Sequence, residues 1–390
     1  MPLRLGILGA NTAIQTTYLP VLLSLKTHYT ISAIYDPNPE LAKQCQSTFN
    51  IPYTLPITEI LHHEEVDLIL NLLPMEYHEQ YTVTALKAGK HVMVEVPLTM
   101  SIPSLRRIRE AIKQGKDLHP KTPGPKVFVG CARRYAPCFT DVFKKEIADL
   151  GRIYYARCRH IAGPMNHTNG KPAVHHNDPE LFTALLEDLF GEDITPDRIA
   201  FCRYLGMLGC HDLSVVRESL GFPDAVSSVA ITDPFYSAIF HYTNGSSGHP
   251  FTLLYEAGVD SVPRCDAHLT VYGARKTVSV EYDFPRPGKK ISTGTFVKVV
   301  VEEAEEVEKG IDVNGGIGGN ETAGVRRVKR TETVSTCEEA YELEFLALHS
   351  YLTGGEAKTT AEDAVMDLRL LLMIFDHYNR QCGTISTPLG

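Results

Sequence analysis

The sequence predicts an α/β protein in which a doubly wound, parallel sheet is followed by an α+β domain with a mostly antiparallel sheet. Over the first hundred residues, short apolar strands alternate with amphipathic helices. From about residue 150, strand-like runs follow one another with few helices between them. Because 390 residues exceed what one hydrophobic core usually serves, we expect two domains, 1–130 and 131–390.

The N-terminal elements follow in a regular order, each apolar run being short enough for a buried strand. We expect strands at 3–8, 29–35, 66–72, 91–94 and 127–131. We expect helices at 13–25, 39–49, 77–88 and 104–113, and a loop rich in Pro, Lys and Gly at 114–126. Gly89 suits the end of the third helix, since glycine readily takes the left-handed conformation of a C-cap.

The second half of the chain is dominated by alternating, strand-like runs. We expect strands at 153–159, 225–231, 238–242, 252–257, 268–272 and 278–282. Two helices, near 337–353 and 361–380, are expected to pack back on the body. The acidic run 302–308 and the Gly-rich run 310–324 are interpreted as an exposed excursion from the fold, since such compositions bury little apolar surface.

Composition excludes several classes of function. The formal net charge of −9 argues against a nucleic-acid or membrane-surface partner. No apolar run approaches the roughly 20 residues that a membrane span requires, and the N-terminus lacks the pattern of a signal peptide. The nine cysteines form no C-x-x-C pair and no Cys/His spacing typical of a metal site. We therefore expect a cytoplasmic protein with reduced thiols and no metal.

The turn after the first strand is a degenerate dinucleotide-binding turn. The fingerprint G-x-G-x-x-G/A gives a tight turn, close backbone approach to a pyrophosphate and a helix N-terminus aimed at it. Here residues 9–14 read GANTAI, so that only Gly9 is retained. Asn11 can adopt the left-handed conformation of the second glycine, but Ile14 should push the helix away from the strand. A plain strand–turn–helix is the alternative interpretation.

Asp36 strengthens the dinucleotide interpretation. It ends the second strand, where an acidic side chain binds the hydroxyl groups of the adenine ribose. A carboxylate there disfavours a 2′-phosphate, so we expect NAD rather than NADP. The alternative is that residues 36–38 form only an Asx turn.

Motifs spread over most of the chain then carry a family resemblance. They are IYDPNP at 34–39, Leu73 and Pro74 with His78, AGKHVMVEVPL at 88–98, ARRYAP at 132–137, LGCHDL at 208–213 and TTAEDA at 359–364. With these motifs the chain resembles the glucose–fructose oxidoreductase / inositol dehydrogenase (Gfo/Idh/MocA) family. The resemblance implies oxidation or reduction of a carbinol, often on a sugar or polyol, with a nicotinamide cofactor. It also implies a homodimer.

The resemblance implies a set of cofactor contacts and a catalytic group, from which this sequence departs. The cofactor contacts it implies are Gly9, Asn11, Asp36, Leu73, Pro74, His78, Glu95 and Pro97. In the family, the lysine of a Glu-Lys-Pro motif contacts both cofactor and substrate, and an Asp and a His four residues apart transfer protons. In this sequence Val96 stands at the position of the lysine and Met207 at that of the aspartate, while His211 is retained. Proton transfer contributes about 10²–10⁴-fold in rate, and neither Val96 nor Met207 can perform it. His211 is therefore the predicted general acid/base, with Ser214 as its orienting partner.

Further substrate contacts are expected around His211. Arg203, Met207 and His211 share one stripe of an α-helix, and Val96 lies at the lysine position. Arg134 is a candidate substrate contact and Tyr135 a candidate catalytic residue. The alternatives are that Arg133 and Arg134 form ion pairs and that Tyr135 is core. We interpret His160, His175 and His176 as surface residues.

Three functions remain open from the sequence. The first is an NAD(H)-dependent oxidoreductase acting on a small hydroxylated or carbonyl substrate between the domains. The second is an isomerase or lyase in the same cleft, which the loss of the lysine and aspartate favours. The third is a catalytically inactive regulatory protein that senses a nucleotide.

Overall fold

The N-terminal sheet is a six-stranded parallel sheet. The computed structural model describes residues 2–11, 13–120, 123–163, 178–245, 247–283, 296–305 and 327–380. The strands are β1 (Leu3–Leu8), β2 (Tyr29–Tyr35), β3 (Tyr53–Thr54), β4 (Leu68–Asn71), β5 (His91–Glu95) and β6 (Val127–Gly130). Their order is β3-β2-β1-β4-β5-β6, and all pairs are parallel. The order reverses between β1 and β4, so a crevice opens at the carboxyl ends of these two strands.

Helices connect these strands. They are α1 (Leu19–Ser24), α2 (Pro39–Phe49), α3 (Ile57–His62), α4 (His78–Lys87) and α5 (Ile102–Leu118). The side chain of Asn38 caps α2 and that of Ser101 caps α5, each accepting a hydrogen bond from the first turn. Helix α5 continues to Leu118, so the loop expected at 114–126 begins later than predicted. The short elements β3 and α3 were not predicted.

The second sheet has eight strands and is mostly antiparallel, as predicted. The strands are β7 (Tyr155–Ala162), β8 (Ala225–Thr232), β9 (Phe235–Thr243), β10 (Pro250–Val259), β11 (Cys265–Tyr272), β12 (Lys276–Tyr282), β13 (Phe296–Glu305) and β14 (Arg327–Thr336). Their order is β14-β13-β12-β11-β7-β10-β9-β8, with β7 and β10 as the parallel pair. Buried and more exposed residues alternate along β9, so that one face of the sheet covers the core.

The prediction of an exposed excursion at 302–308 and 310–324 is partly wrong. Residues 302–305 belong to β13, which pairs with β14 along ten residues of each strand. Strand β13 is held in the sheet because Val297 and Val299 are buried, while its glutamates lie on the other face or at the end. Residues 306–326 lie outside the described residues.

The remaining helices join the two sheets. They are α6 (Lys144–Ala148), α7 (Pro179–Phe190), α8 (Pro196–Tyr204), α9 (Cys210–Leu220), α10 (Cys337–Leu352) and α11 (Ala361–Arg380). A π-helical turn, Leu205–Gly209, joins α8 to α9. Phe345 of α10 packs in the core beside β1, and Leu368 of α11 packs beside β5, so both C-terminal helices cover the parallel sheet.

One helical run, Pro196–Leu220, is long and apolar enough to cross a membrane by length and composition. However, 72% of its most apolar window is buried inside the protein. The run is accordingly a core helix of this fold.

Candidate active site

A cleft of about 370 Å³ opens at the crevice of the parallel sheet and is bounded on its far side by the π-helical turn and the start of α9. It is lined by eleven of the fourteen predicted site residues: Gly9, Asn11, Asp36, Leu73, Pro74, His78, Glu95, Val96, Arg203, Met207 and His211. Three predicted residues, Pro97, Arg134 and Tyr135, do not line it. The cleft therefore brings the glycine turn and the histidine motif into one space.

At one end of the cleft, Gly9 has a backbone that other residues rarely adopt. Its φ is 113°, and a Cβ atom there would lie 3.0 Å from the Ile14 side chain and 3.1 Å from the Leu72 carbonyl oxygen. A side chain would therefore collide with the walls of the turn, so only glycine fits this position without strain. The retained glycine of the fingerprint is thus the one that the turn requires.

Asn11 does not take the left-handed conformation that we expected. Among the described residues, the non-glycine residues with positive φ are Asn50 and Ser228. Instead, Asn11 Oδ1 accepts a hydrogen bond of 3.2 Å from the Ile14 backbone N–H and caps the following helix. The helix begins with a π-helical turn, Ile14–Tyr18, and Ile14 is buried. Asn11 therefore uses one of the N–H groups that a phosphate would otherwise meet.

Asp36 combines both interpretations made from the sequence. Its Oδ1 accepts a hydrogen bond of 2.8 Å from Asn38 N, which is the Asx turn, and its Oδ2 accepts one of 2.7 Å from Ala10 N. A carboxylate oxygen has two lone pairs, so each oxygen still has one acceptor site for a hydroxyl group in the cleft. Asp36 both fixes the glycine turn and lines the cleft.

His78 connects two loops at the edge of the sheet. Its Nδ1 lies 2.7 Å from the Pro97 carbonyl oxygen and its Nε2 lies 2.9 Å from that of Leu73. Burial lowers the pKa of His78. Both nitrogens face backbone, so His78 holds the cleft wall, and Pro97 supports it from behind.

At the other end of the cleft lie Val96, Arg203, Met207 and His211. The continuous α-helical stripe that we expected is interrupted by the π-helical turn, yet the last three residues all still face the cleft. π-Helical turns are frequent at functional sites. Burial and the neighbouring Arg133 guanidinium lower the pKa of His211 to about 3. The ring is therefore neutral at pH 7 and is a weak base.

A buried ion cluster lies next to His211. The Asp212 carboxylate accepts a hydrogen bond of 2.6 Å from Arg133 Nη1 and lies 2.7 Å from His160 Nδ1. The His160 side chain is fully buried, so its interpretation as a surface residue is wrong. The Arg133 guanidinium also lies 4.8 Å from the ring centre of Tyr282. This cluster fixes positive charge near His211.

Arg134 and Tyr135 lie away from the cleft, which corrects two predictions. Arg134 pairs with Glu218 and, at 2.5 Å, with Asp363. The Tyr135 hydroxyl lies 2.8 Å from Thr359 Oγ1. Arg134 thus forms the ion pairs of the alternative interpretation, and Tyr135 belongs to the core.

Ser214 does not orient His211. Its hydroxyl donates to Asp367 Oδ2 at 3.1 Å and accepts from Arg134 Nη1 at 3.3 Å, so it belongs to the buried ion pairs between α9 and α11. His175 and His176 lie outside the described residues. In the part of the chain that the structure describes, no group of three or more His, Cys, Asp or Glu side chains could hold a metal ion.

The sequence missed several residues of the cleft. They are Tyr18, Met75, Glu76, Phe182, Gly206 and Tyr341, among others. Arg203 lies over the Phe182 ring at 4.4 Å, and burial raises the pKa of Glu76. Tyr18 lies one turn into the helix after the glycine turn, and this was a usable signal. Tyr341 comes from α10, far along the chain, and no local pattern marks it.

Comparisons with known proteins agree with this architecture. Residues 3–120 match a family model described as an oxidoreductase family with an NAD-binding Rossmann fold, GFO_IDH_MocA. The inositol 2-dehydrogenase of Corynebacterium glutamicum (strain R) is 30% identical over 162 residues, 40% of this chain and 45% of that protein. That of Klebsiella pneumoniae (strain 342) is 31% identical over 165 residues, 41% and 46% of the two chains. The N-terminal part of the chain, residues 3–120, is thus similar to the Gfo/Idh/MocA family.

The match to these two family members spans less than half of their length. A longer match, to an uncharacterized oxidoreductase of Rhizobium meliloti, is 24% identical over 292 residues, 73% of this chain and 76% of that one. The chain thus matches about half the length of the inositol dehydrogenases.

Solved structures show that the two-domain fold extends over the whole chain. An oxidoreductase from Thermotoga maritima has a TM-score of 0.66 at 18% identity, covering 97% of this chain and 98% of that chain. A 3-ketoreductase from Actinomadura kijaniata, in complex with NADP and TDP-benzene, has a TM-score of 0.63 at 14% identity, covering 95% and 96%. At these identities the likeness shows the fold alone.

Proposed function

We propose that the protein is an NAD-dependent oxidoreductase that interconverts a hydroxyl and a carbonyl group on a small, sugar-like substrate. One observation carries this proposal: a single cleft runs from Gly9 and Asp36 to Val96 and His211. In doubly wound sheets, a dinucleotide binds across this crevice. The match of residues 3–120 to an NAD-binding oxidoreductase family model supports the same reaction class.

The residues of the cleft fit a nicotinamide dinucleotide. Gly9 permits the tight turn that lines the cleft, and Asp36 has acceptor sites for ribose hydroxyl groups. The negative charge of Asp36 disfavours a 2′-phosphate, so NAD is the proposed cofactor. When bound, the dinucleotide supplies a hydride acceptor or donor. Because Asn11 caps the helix itself, we expect weaker pyrophosphate binding than a complete glycine fingerprint gives.

His211 binds the substrate in this proposal. As a neutral imidazole it donates one hydrogen bond and accepts one, which suits a hydroxyl or carbonyl oxygen. Its acid/base role stays a prediction, and the low pKa makes it a poor proton acceptor near neutral pH. The Val96 and Met207 side chains have no exchangeable proton, so another group of the cleft has to exchange a proton with the substrate.

The proposal is tested by calorimetric titration with NAD⁺, NADH, NADP⁺ and NADPH. We expect NAD⁺ and NADH to bind more tightly than the phosphorylated pair. Asp36→Asn should weaken NADH binding by about 1.5–3 kcal/mol, because a hydrogen bond to a charged group is lost. Asp67→Asn is the matched control, since Asp67 precedes β4 at the opposite edge of the same sheet and pairs with Arg4.

Two results would contradict this proposal. One is the absence of binding of all four dinucleotides at millimolar concentration. The other is an equal loss of NADH affinity in Asp36→Asn and Asp67→Asn, which would place the ligand elsewhere.

Non-redox proton chemistry is a second candidate function. Val96 and Met207 favour it, because the substrate end lacks the polar side chains that family members use in alcohol oxidation. Substrate conversion without a change in nicotinamide absorbance would indicate this non-redox function. Binding of NADH in the cleft, together with a change in nicotinamide absorbance during conversion, supports the oxidoreductase instead.

A further inference from the structure

Four side chains meet at the floor of the cleft, two of them buried and two half-buried, and we call them the floor cluster: Tyr18, Glu95, Tyr341 and Glu344. Glu95 ends β5, Tyr18 belongs to the π-helical turn after the glycine turn, and the other two come from α10. Tyr18, Glu95 and Tyr341 line the cleft, whereas Glu344 does not. The cluster thus places a carboxyl group between the two ends of the cleft.

The Glu95 carboxyl group is held in one position. The Tyr18 hydroxyl donates to Glu95 Oε1, and the Tyr18 ring packs edge-on against Tyr341 with 5.0 Å between ring centres. Glu344 is fully buried, and its Oε1 accepts a hydrogen bond of 2.5 Å from Cys131 N. The tyrosine hydroxyl therefore orients Glu95, whereas Glu344 accepts from backbone through Oε1 and its Oε2 is buried without a hydrogen-bond partner.

Glu95 is better placed for proton exchange than the other groups of the substrate end. It directly precedes Val96, which shares the cleft with His211. Glu76 also lines the cleft and burial raises its pKa, but its carboxyl group is engaged by the backbone of Glu76 and Asp178 and by the Arg203 charge, which act in the opposite direction. Glu95 is instead hydrogen-bonded to the neutral Tyr18 hydroxyl group, which can stay beside the Glu95 carboxyl group whether that group is protonated or ionised.

We propose that Glu95, oriented by Tyr18, exchanges the proton with the substrate oxygen in the cleft, in place of His211. This inference rests on the proposed oxidoreductase function. In the oxidation direction the substrate O–H bond breaks and its proton bonds to a Glu95 carboxylate oxygen. The substrate C–H bond would break with its electron pair leaving as hydride, for which a bound oxidised NAD would supply the acceptor, and the C=O bond would form. Glu95 then releases its proton to water, and reduction reverses each step.

The electrostatics of the floor cluster agree with this assignment. Burial raises the pKa of Glu95 to about 7, while the Tyr18 hydrogen bond acts in the opposite direction. A general acid/base works best with a pKa near the working pH. Burial also raises the pKa values of the groups that face Glu95, so these groups stay protonated at pH 7: Tyr18, Tyr341, Glu344 and Cys210. Glu95 is then the member that changes charge near neutrality.

Infrared titration of the free protein tests whether Glu95 holds this proton. We expect a protonated-carboxyl band that disappears as the pH rises through about 7. Glu95→Gln should abolish it, whereas Glu76→Gln and Glu344→Gln, the matched cleft and buried controls, should keep it. Tyr18→Phe should move the transition to higher pH, because the hydrogen bond that favours the carboxylate is lost. A band that still disappears through about pH 7 in Glu95→Gln would overturn the inference.

Calorimetry with NADH in buffers of different ionisation enthalpy separates this inference from the proposed function. We expect binding near pH 7 to be linked to proton uptake, because ligand that covers Glu95 desolvates it further and raises its pKa. The uptake should vanish in Glu95→Gln and remain in Glu76→Gln. Binding with equal uptake in Glu95→Gln and the unmodified chain overturns this inference alone. Absence of any dinucleotide binding overturns the proposed function and this inference with it.

Discussion

Replacing Arg134 by methionine should destabilise the protein strongly while leaving the cleft intact. The side chain is only 4% exposed and pairs with Glu218 and Asp363, which are 7% and 20% exposed. Methionine fills much of the same volume but leaves the buried Glu218 carboxylate with two lysines, Lys144 and Lys358, each at 2.9 Å. Breaking a buried pair from one side costs about 3–5 kcal/mol. The two remaining lysines favour the lower end, about 3 kcal/mol.

Urea unfolding followed by circular dichroism measures this loss. At a slope of about 3 kcal/mol per molar urea, the midpoint should fall by about 1 M. Arg4→Met is the control, because the Arg4–Asp67 pair is 42% and 34% exposed and such pairs contribute about 0–1 kcal/mol. An unchanged midpoint in Arg134→Met would refute the reasoning. So would a loss of NADH affinity at unchanged stability, which would return Arg134 to the substrate contacts.

Three further predictions follow from the structure. Gly9→Ala and Gly354→Ala both impose left-handed backbone strain, since φ is 113° at Gly9 and 116° at Gly354. Of these two positions, Gly9 is the one that lacks space for a Cβ. Calorimetric titration should therefore show a loss of NADH affinity in Gly9→Ala but not in Gly354→Ala. Arg134 and Lys358 hold the pKa of Glu218 at about 2. Glu218 therefore stabilises the fold above its unfolded pKa of about 4.3, and this contribution is lost as the pH falls toward 2. The free energy of unfolding of Glu218→Gln should accordingly depend less steeply on pH over this range. The homodimer implied by the family resemblance should give twice the monomer mass of 43.3 kDa in light scattering, and a monomer at every concentration would refute it.

Much of the N-terminal domain could be predicted from local sequence. Strands β1 and β2 and helix α2 have the predicted bounds, because each is a short apolar run or a capped helix whose limits are set by its own residues. The glycine turn and Asp36 could be placed in the cleft for a related reason, since the carboxyl ends of β1 and β2 meet at one edge of the sheet, whereas most other cleft contacts came from the family resemblance. Strand β14 was missed because six of its first residues are exposed and carry no apolar pattern.

The roles of Arg134, Tyr135 and His160 could not be predicted, because their partners are distant in sequence. Arg134 pairs with Asp363, 229 residues away, and Tyr135 contacts Thr359, 224 residues away. His160 meets Asp212 across 52 residues. A buried histidine or arginine needs a partner, yet the sequence around it does not say which. The same holds for the floor cluster, in which α10 brings Glu344 and Tyr341 to β5.

We expect one dinucleotide to occupy the cleft from the glycine turn to the histidine motif. Hydrogen exchange followed by mass spectrometry, with and without saturating NADH, measures whether it does. Exchange should become slower in both peptides that would contact the ligand, residues 9–18 and 205–211, with β14 unchanged as an internal reference. Protection of neither peptide, or of only one, would contradict a dinucleotide that spans the cleft.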